Sequence, residues 1–285
     1  MKLKQKLALS YIRARLNILG LVSPRSAAKK AIDIFRTPMR RSGKDLPALF
    51  DKGEKLSFKF EGHTVRGHRW RPHQASGPHL KRALIVHGWE SSARNFEQYI
   101  QDCLKKGYEV LAFDAPAHGQ SGGSKITLPL YVRVLSIVVE KYGPIDSYIA
   151  HSLGGLAVAH LLETIPAPPD ARLVLIAPAV EALRAADQLF DMLRLSADVR
   201  AEFDTMGMEL TGRPWAWFSI RRIMHDLRLP VLWIHDEEDN VTPLEDALPV
   251  KTDAHPNIQF LITKGLGHRK IYRDHDVIRQ VMNFI

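Results

Sequence analysis

The chain has 285 residues, of which 45% are hydrophobic and 25% charged; this is ordinary globular composition with ample length to bury a core. Its single cysteine, Cys103, excludes an internal disulfide framework and a multi-cysteine zinc site, and no apolar run approaches the ~18 residues of a membrane span. The net charge of +9 is uneven: residues 1–41 hold eleven Lys and Arg against Asp33 alone, and the remainder holds 29 bases and 30 acids. A balanced body gives no reason to expect nucleic-acid binding.

Residues 1–54 read as a basic, helical N-terminal arm. Leu3, Leu7, Tyr11, Ala14 and Ile18 recur at helical spacing and form an apolar stripe beside a basic face. Two readings follow. The preferred one packs the stripe on the core and leaves Lys and Arg in water. The other lays residues 1–41 on anionic lipid as an interfacial helix. Arg13 and Arg15 interrupt the apolar stretch too early for a secretory signal. The expected location is the cytoplasm, at the inner membrane face if the arm touches lipid.

Leu56–Phe60 and Thr64–Trp70 form a predicted hairpin around Glu61-Gly62-His63, and residues 71–80 a loop. Strands are then expected at Ala83–His87, Val110–Asp114, Ser147–His151, Arg172–Ala177, Val231–His235 and Ile258–Thr263. Helices are expected at Ala93–Lys106, Leu128–Lys141, Leu153–Thr164 and about Lys270–Phe284. Short apolar strands alternating with helices predict an α/β fold: a mostly parallel central sheet with helices on both faces. The alternation breaks once, so residues 179–226 are expected to be an inserted helical cap, and 55–178 with 227–285 the core.

In such a sheet the chemistry lies just past the carboxyl ends of the strands. Ser152 falls between a predicted strand and helix, with Ala150 two residues before it and Gly154 two after, a G-x-S-x-G elbow with Ala in first place. A serine hydroxyl needs a base, and His268 follows the last strand in a Gly-x-Gly-His turn. The base needs an orienting acid. Asp239, in a D-x-V-x-P context, is chosen over Asp236, Glu237 and Glu238, which are read as a solvated charged loop. The order Ser152, Asp239, His268 is that of triads on this type of sheet. His87-Gly88-Trp89 ends an early strand, so the N–H groups of Trp89 and Leu153 are the expected oxyanion donors. His235 beside the acids lacks metal-ligand spacing, and no metal or cofactor is expected. His63, His68, His73 and His79 are read as solvated. Cys103, inside a helix, is a poor nucleophile candidate.

Residues 55–285, through these motifs, resemble the α/β-hydrolase superfamily, and are most similar to bacterial esterase and lipase-like members with a helical cap. Asp114-Ala115-Pro116-Ala117-His118-Gly119-Gln120-Ser121 resembles the family's D-x-x-G-x-G-x-S turn, with Ala117 in place of a glycine. The resemblance makes that turn structural, so Asp114 and His118 receive no catalytic role. The family's alternative acid position, after the strand ending at Ala177, holds Pro178-Ala179-Val180, which supports Asp239. The expected activity is cleavage of a small-molecule carboxylic ester with a hydrophobic acyl or alcohol group, through an acyl-enzyme on Ser152. Amide or peptide cleavage or acyl transfer by the same residues, or a non-catalytic membrane-recruited module, are the alternatives.

Overall fold

The computed structural model describes residues 3–41, 45–74 and 80–285. His79, Lys2 and residues 75–79 of the expected loop lie outside the described residues. In chain order the elements are α1 (Leu3–Val22), α2 (Pro24–Phe35), β1 (Glu54–Phe60), β2 (His63–Trp70), β3 (Arg82–Val86), α3 (Glu97–Lys105), β4 (Glu109–Phe113), α4 (Leu128–Tyr142), β5 (Ser147–His151), α5 (Leu153–Thr164), β6 (Arg172–Ile176), α6 (Ala182–Leu193), α7 (Ala197–Thr211), α8 (Ile220–Met224), β7 (Val231–Asp236), α9 (Leu244–Thr252), β8 (Ile258–Thr263), α10 (Gly267–Lys270) and α11 (His275–Phe284).

The chain divides into two compact units. Met39–Val180 with Ile220–Ile285 form one, and the residues up to Pro38 with Glu181–Ser219 form the other. The larger unit holds an eight-stranded sheet in the order β1-β2-β4-β3-β5-β6-β7-β8, antiparallel at β1–β2 and β2–β4 and parallel elsewhere. Its inner strands are apolar on both faces for a physical reason. Ile85, Ile149, Val174 and Ile234 share a core with Phe96, Tyr99 and Ile100 near α3 and with Val277, Ile278 and Val281 of α11. The intervening Leu84, Tyr148 and Leu175 are equally buried, on the opposite side of the pleat. Parallel pairing requires each strand to return through a helix. The carboxyl ends of β3, β5, β6 and β7 therefore reach the same rim.

The final helix departs from expectation. The run from Lys270 to Phe284 breaks at Asp274, whose extended backbone (ψ 133°) ends the first turn and whose carboxylate caps the N–H groups of Asp276 and Val277. His68 is buried, between an edge-on Phe50 and a stacked Trp70, and burial lowers its pKa; His63 and His73 are solvated as read.

In the smaller unit, the core is Leu16 of α1, Ala27, Ala28, Ala31 and Ile32 of α2, and Leu189, Phe190, Leu193, Val199, Phe203 and Trp215. Three alanines on one face of α2 permit close approach to α7, and Arg25 pairs across with Glu202 (3.1 Å) and Glu209 (3.6 Å). Phe203 meets the rings of Phe35, Phe190 and Trp215. Asn17 (3.2 Å) and Arg13 donate to the carbonyls of Leu193 and Met192, which the end of α6 leaves without intrahelical partners. Arg13 is therefore half-exposed, with its guanidinium engaged by the end of α6. The stripe Leu7–Tyr11–Ala14–Ile18 lies in water, and α1 packs inward through Leu9, Ile12, Leu16 and Leu19. The spacing identified a helix but chose the wrong face, because α1 is apolar on two sides.

Candidate active site

Ser152 sits where β5 stops and α5 begins. Its backbone is left-handed (φ 54°, ψ −125°), a conformation that costs of order 1–3 kcal/mol and turns the side chain out of the strand. The turn is held by its own N–H, bonded to the Ile176 carbonyl at 3.1 Å, and by its carbonyl, which accepts from Gly155 (2.9 Å) and Ala179 (3.1 Å). The small neighbours are required by space. A methyl on Gly154 would stand 2.5 Å from the Val86 oxygen and 2.6 Å from that of His87, and one on Gly88 would stand 2.7 Å from the Ser152 Cβ. Ala150 fits, fully buried, where the motif has glycine.

His268, on α10, brings Nε2 to 3.0 Å from Ser152 Oγ and Nδ1 to 2.8 Å from Asp239 Oδ2. All three residues are buried at the rim: Ser152 is 6% exposed, Asp239 4% and His268 9%. The structure thus brings Ser152, Asp239 and His268 together. Burial works to raise the Asp239 pKa, but the His268 hydrogen bond and charge, with the N–H groups of Val241 (2.9 Å) and Thr242 (3.0 Å), hold it below the ordinary carboxylate value. The carboxylate is ionised and aimed at the imidazole. The Nδ1–H donates to it, which leaves Nε2 as acceptor toward the serine hydroxyl.

The Trp89 and Leu153 N–H groups have no hydrogen-bond acceptor among the described residues; Leu153 opens α5, where first-turn donors are left over. The loop carrying Trp89 is fixed by two histidines. His87 donates Nδ1–H to the Gly88 carbonyl (2.8 Å) and accepts the Ala115 N–H at Nε2 (3.0 Å). His118 donates Nδ1–H to Pro116 (2.9 Å) and accepts the Glu90 N–H at Nε2 (3.0 Å). Burial pushes both imidazoles down to about 4, so both are neutral, as these acceptor roles require. Asp114 closes the same turn, accepting from Ala93 (2.9 Å) and Gln120 (2.8 Å). Ala117, in the family's glycine position, holds φ 65°.

Three residues were missed as parts of the site. Asp236 is fully buried rather than solvated. It accepts from Thr263 Oγ1 (2.7 Å), Leu266 N (3.1 Å), Gly267 N (2.9 Å) and Glu238 N (3.0 Å), and so ties the end of β7 to the turn that presents His268. Glu237 and Glu238 are solvated as read. Thr242 places Oγ1 3.0 Å from both Asp239 Oδ2 and His268 Nδ1. His151 donates from Nε2 to the His268 carbonyl (3.0 Å), with ring centroids 4.7 Å apart; burial drives it down to about 3, so it adds no charge beside His268. Asp236 and His151 were visible as strand-end residues, but the partners that give them meaning are distant in sequence. His235 stays out of the group, bonded to the Thr242 carbonyl (2.6 Å) and the Trp233 indole (3.3 Å). Cys103 is buried, and burial pushes its thiol up to about 12.

Residues 77–203 match the family described as serine aminopeptidase, S33. Among curated proteins, a non-heme chloroperoxidase of Streptomyces lividans is 25% identical over 243 residues (68% of this chain, 87% of that protein). A putative esterase/lipase of Mycoplasma pneumoniae is 24% identical over 233 residues (68% and 85%). A solved Pyrococcus furiosus esterase superposes with a TM-score of 0.64 at 19% identity, covering 87% of this chain and 96% of that one. The mouse α/β hydrolase domain-containing protein 10 gives 0.59 at 17% identity, covering 81% and 96%. With its eight-stranded sheet and strand-to-helix serine turn, the chain has the α/β-hydrolase fold, and in sequence it is similar to hydrolases that include proteins named esterase.

Proposed function

We propose that the protein is a serine hydrolase that cleaves carboxylic esters. His268 Nε2 takes the Ser152 proton as Oγ attacks the acyl carbon, and the Trp89 and Leu153 N–H groups hold the oxyanion. The imidazolium, steadied by ionised Asp239, returns the proton to the leaving alcohol. Water, deprotonated by His268, then attacks the acyl-enzyme, and collapse frees the acid and restores the serine. The reading rests on the continuous hydrogen-bonded line Asp239–His268–Ser152, at 2.8 and 3.0 Å. Relatives named esterase favour an ester over other acyl substrates. The large apolar residues of the insertion no longer argue for a hydrophobic substrate, because Leu189, Phe190, Phe203 and Trp215 lie in the core of their own unit.

The test is turnover of p-nitrophenyl esters of graded acyl length, with fluorophosphonate labelling. The native chain is expected to turn over and label at Ser152. Ser152→Ala is expected to lose labelling and roughly 10⁴-fold or more of kcat. A folded native chain that neither labels nor turns over sinks the proposal. The aminopeptidase description of the matched family favours a second reading, amide cleavage by the same residues. Matched ester and amide substrates separate the two.

A further inference from the structure

One apolar face of α1 is exposed among the described residues. At 100° per residue, Leu7, Tyr11, Ala14, Ile18 and Val22 run along one line of the helix with Leu21 beside them, opposite the inward Leu9, Ile12, Leu16 and Leu19. The outward side chains are not grazing contacts: Leu7 is 62% exposed, Tyr11 66%, Ile18 65%, Leu21 89% and Val22 81%. A helix needs one apolar face to fold, and a second in water marks an interaction surface.

Charge selects the occupant. The helix sequence carries Lys4, Lys6, Arg13 and Arg15 and no acid. Lys6 and Arg15 are exposed on either side of the apolar line, and Lys29 and Lys30 of α2 are exposed as well. A second copy docked helix to helix would set cations against cations. An anionic lipid surface offers acyl chains to the apolar line and phosphates to its basic margins. Although α1 has 20 residues, no helix among the described residues is long and apolar enough to cross a membrane, so the fitting geometry is a helix lying in the interface plane.

We propose that the outward face of α1 docks the protein onto anionic membranes, with Leu7, Tyr11, Ile18, Leu21 and Val22 entering the headgroup–acyl boundary. The inference uses no part of the ester-hydrolase reading. The test is cosedimentation of the full chain with phosphatidylglycerol/phosphatidylcholine vesicles and with phosphatidylcholine alone. Binding is expected only to the anionic vesicles and is expected to weaken as salt rises. Leu7→Ser with Ile18→Ser should lower partitioning by about tenfold or more, with circular dichroism and Tm unchanged. A charge variant, Lys6→Gln with Arg15→Gln, should weaken binding and reduce its salt dependence. No binding, equal binding to both vesicles, or an unaffected apolar variant overturns the proposal. So does a native dimer in sedimentation velocity that the apolar variant dissociates, since the face would then belong to a second copy.

Discussion

Asp239 and Thr242 show how much of the proposed chemistry depends on a few atoms around one imidazole. Asp239 Oδ2 holds the Nδ1 proton, which keeps Nε2 free to accept from Ser152. An amide there would present either a donor or a weaker acceptor, and the wrong tautomer would be favoured. Asp239→Asn is expected to lower kcat by roughly 10⁴-fold with the fold intact, measured on the best p-nitrophenyl ester. Thr242 contributes less, because its hydroxyl supports a carboxylate already held by two backbone N–H groups. Thr242→Val is expected to cost about tenfold in kcat/KM. A larger effect from Thr242 than from Asp239 would reassign the orienting group.

Between elements, Asp236 is the tie. It ends β7, yet its oxygens accept from Leu266 and Gly267, immediately before His268, and from Thr263 at the end of β8. Removing the carboxylate takes this acceptor from four part-buried donors, where a hydrogen bond to a charged group contributes about 1.5–3 kcal/mol before the discount for solvent access. Asp236→Ala is therefore expected to destabilise by at least ~3 kcal/mol in urea unfolding, and to depress turnover under conditions where the variant remains folded, because the His268 turn loosens. Asp236→Asn keeps an acceptor and is expected to fall between. Full stability in Asp236→Ala would show that the loop is held by other contacts.

For the whole molecule, buried neutral histidines set the acid limit. His87 and His118 sit at about 4 and His151 at about 3, against an ordinary value of 6.5, each lowered chiefly by burial. Below 6.5 the unfolded chain binds protons that the folded chain refuses. Stability is therefore whole above that pH and is lost as pH falls through 6.5 toward 4, by about 1.4 kcal/mol per pH unit for each histidine. Calorimetry is expected to show Tm falling steadily over that window. A flat Tm between pH 7 and pH 4 would mean that these rings are protonated in the native state.

The sequence by itself determined the fold class and named the central residues of the proposed site. Ser147–His151 matches its expected bounds because burial on both faces leaves an apolar run that no surface requirement disturbs, and Ile258–Thr263 matches as well although it is the half-buried edge strand. Ser152, Asp239 and His268 were legible because parallel topology sends every strand's carboxyl end to one rim. Position after a strand then becomes position in the site. Tertiary structure decided the rest. Which face of α1 turns inward depended on α2 and α6, since both faces are apolar. Asp236 was separated from solvated Glu237 and Glu238 by the Thr263 hydroxyl and the Leu266 and Gly267 N–H groups, some thirty positions away. A local pattern records what a residue prefers; only the folded chain supplies the distant partner that satisfies it.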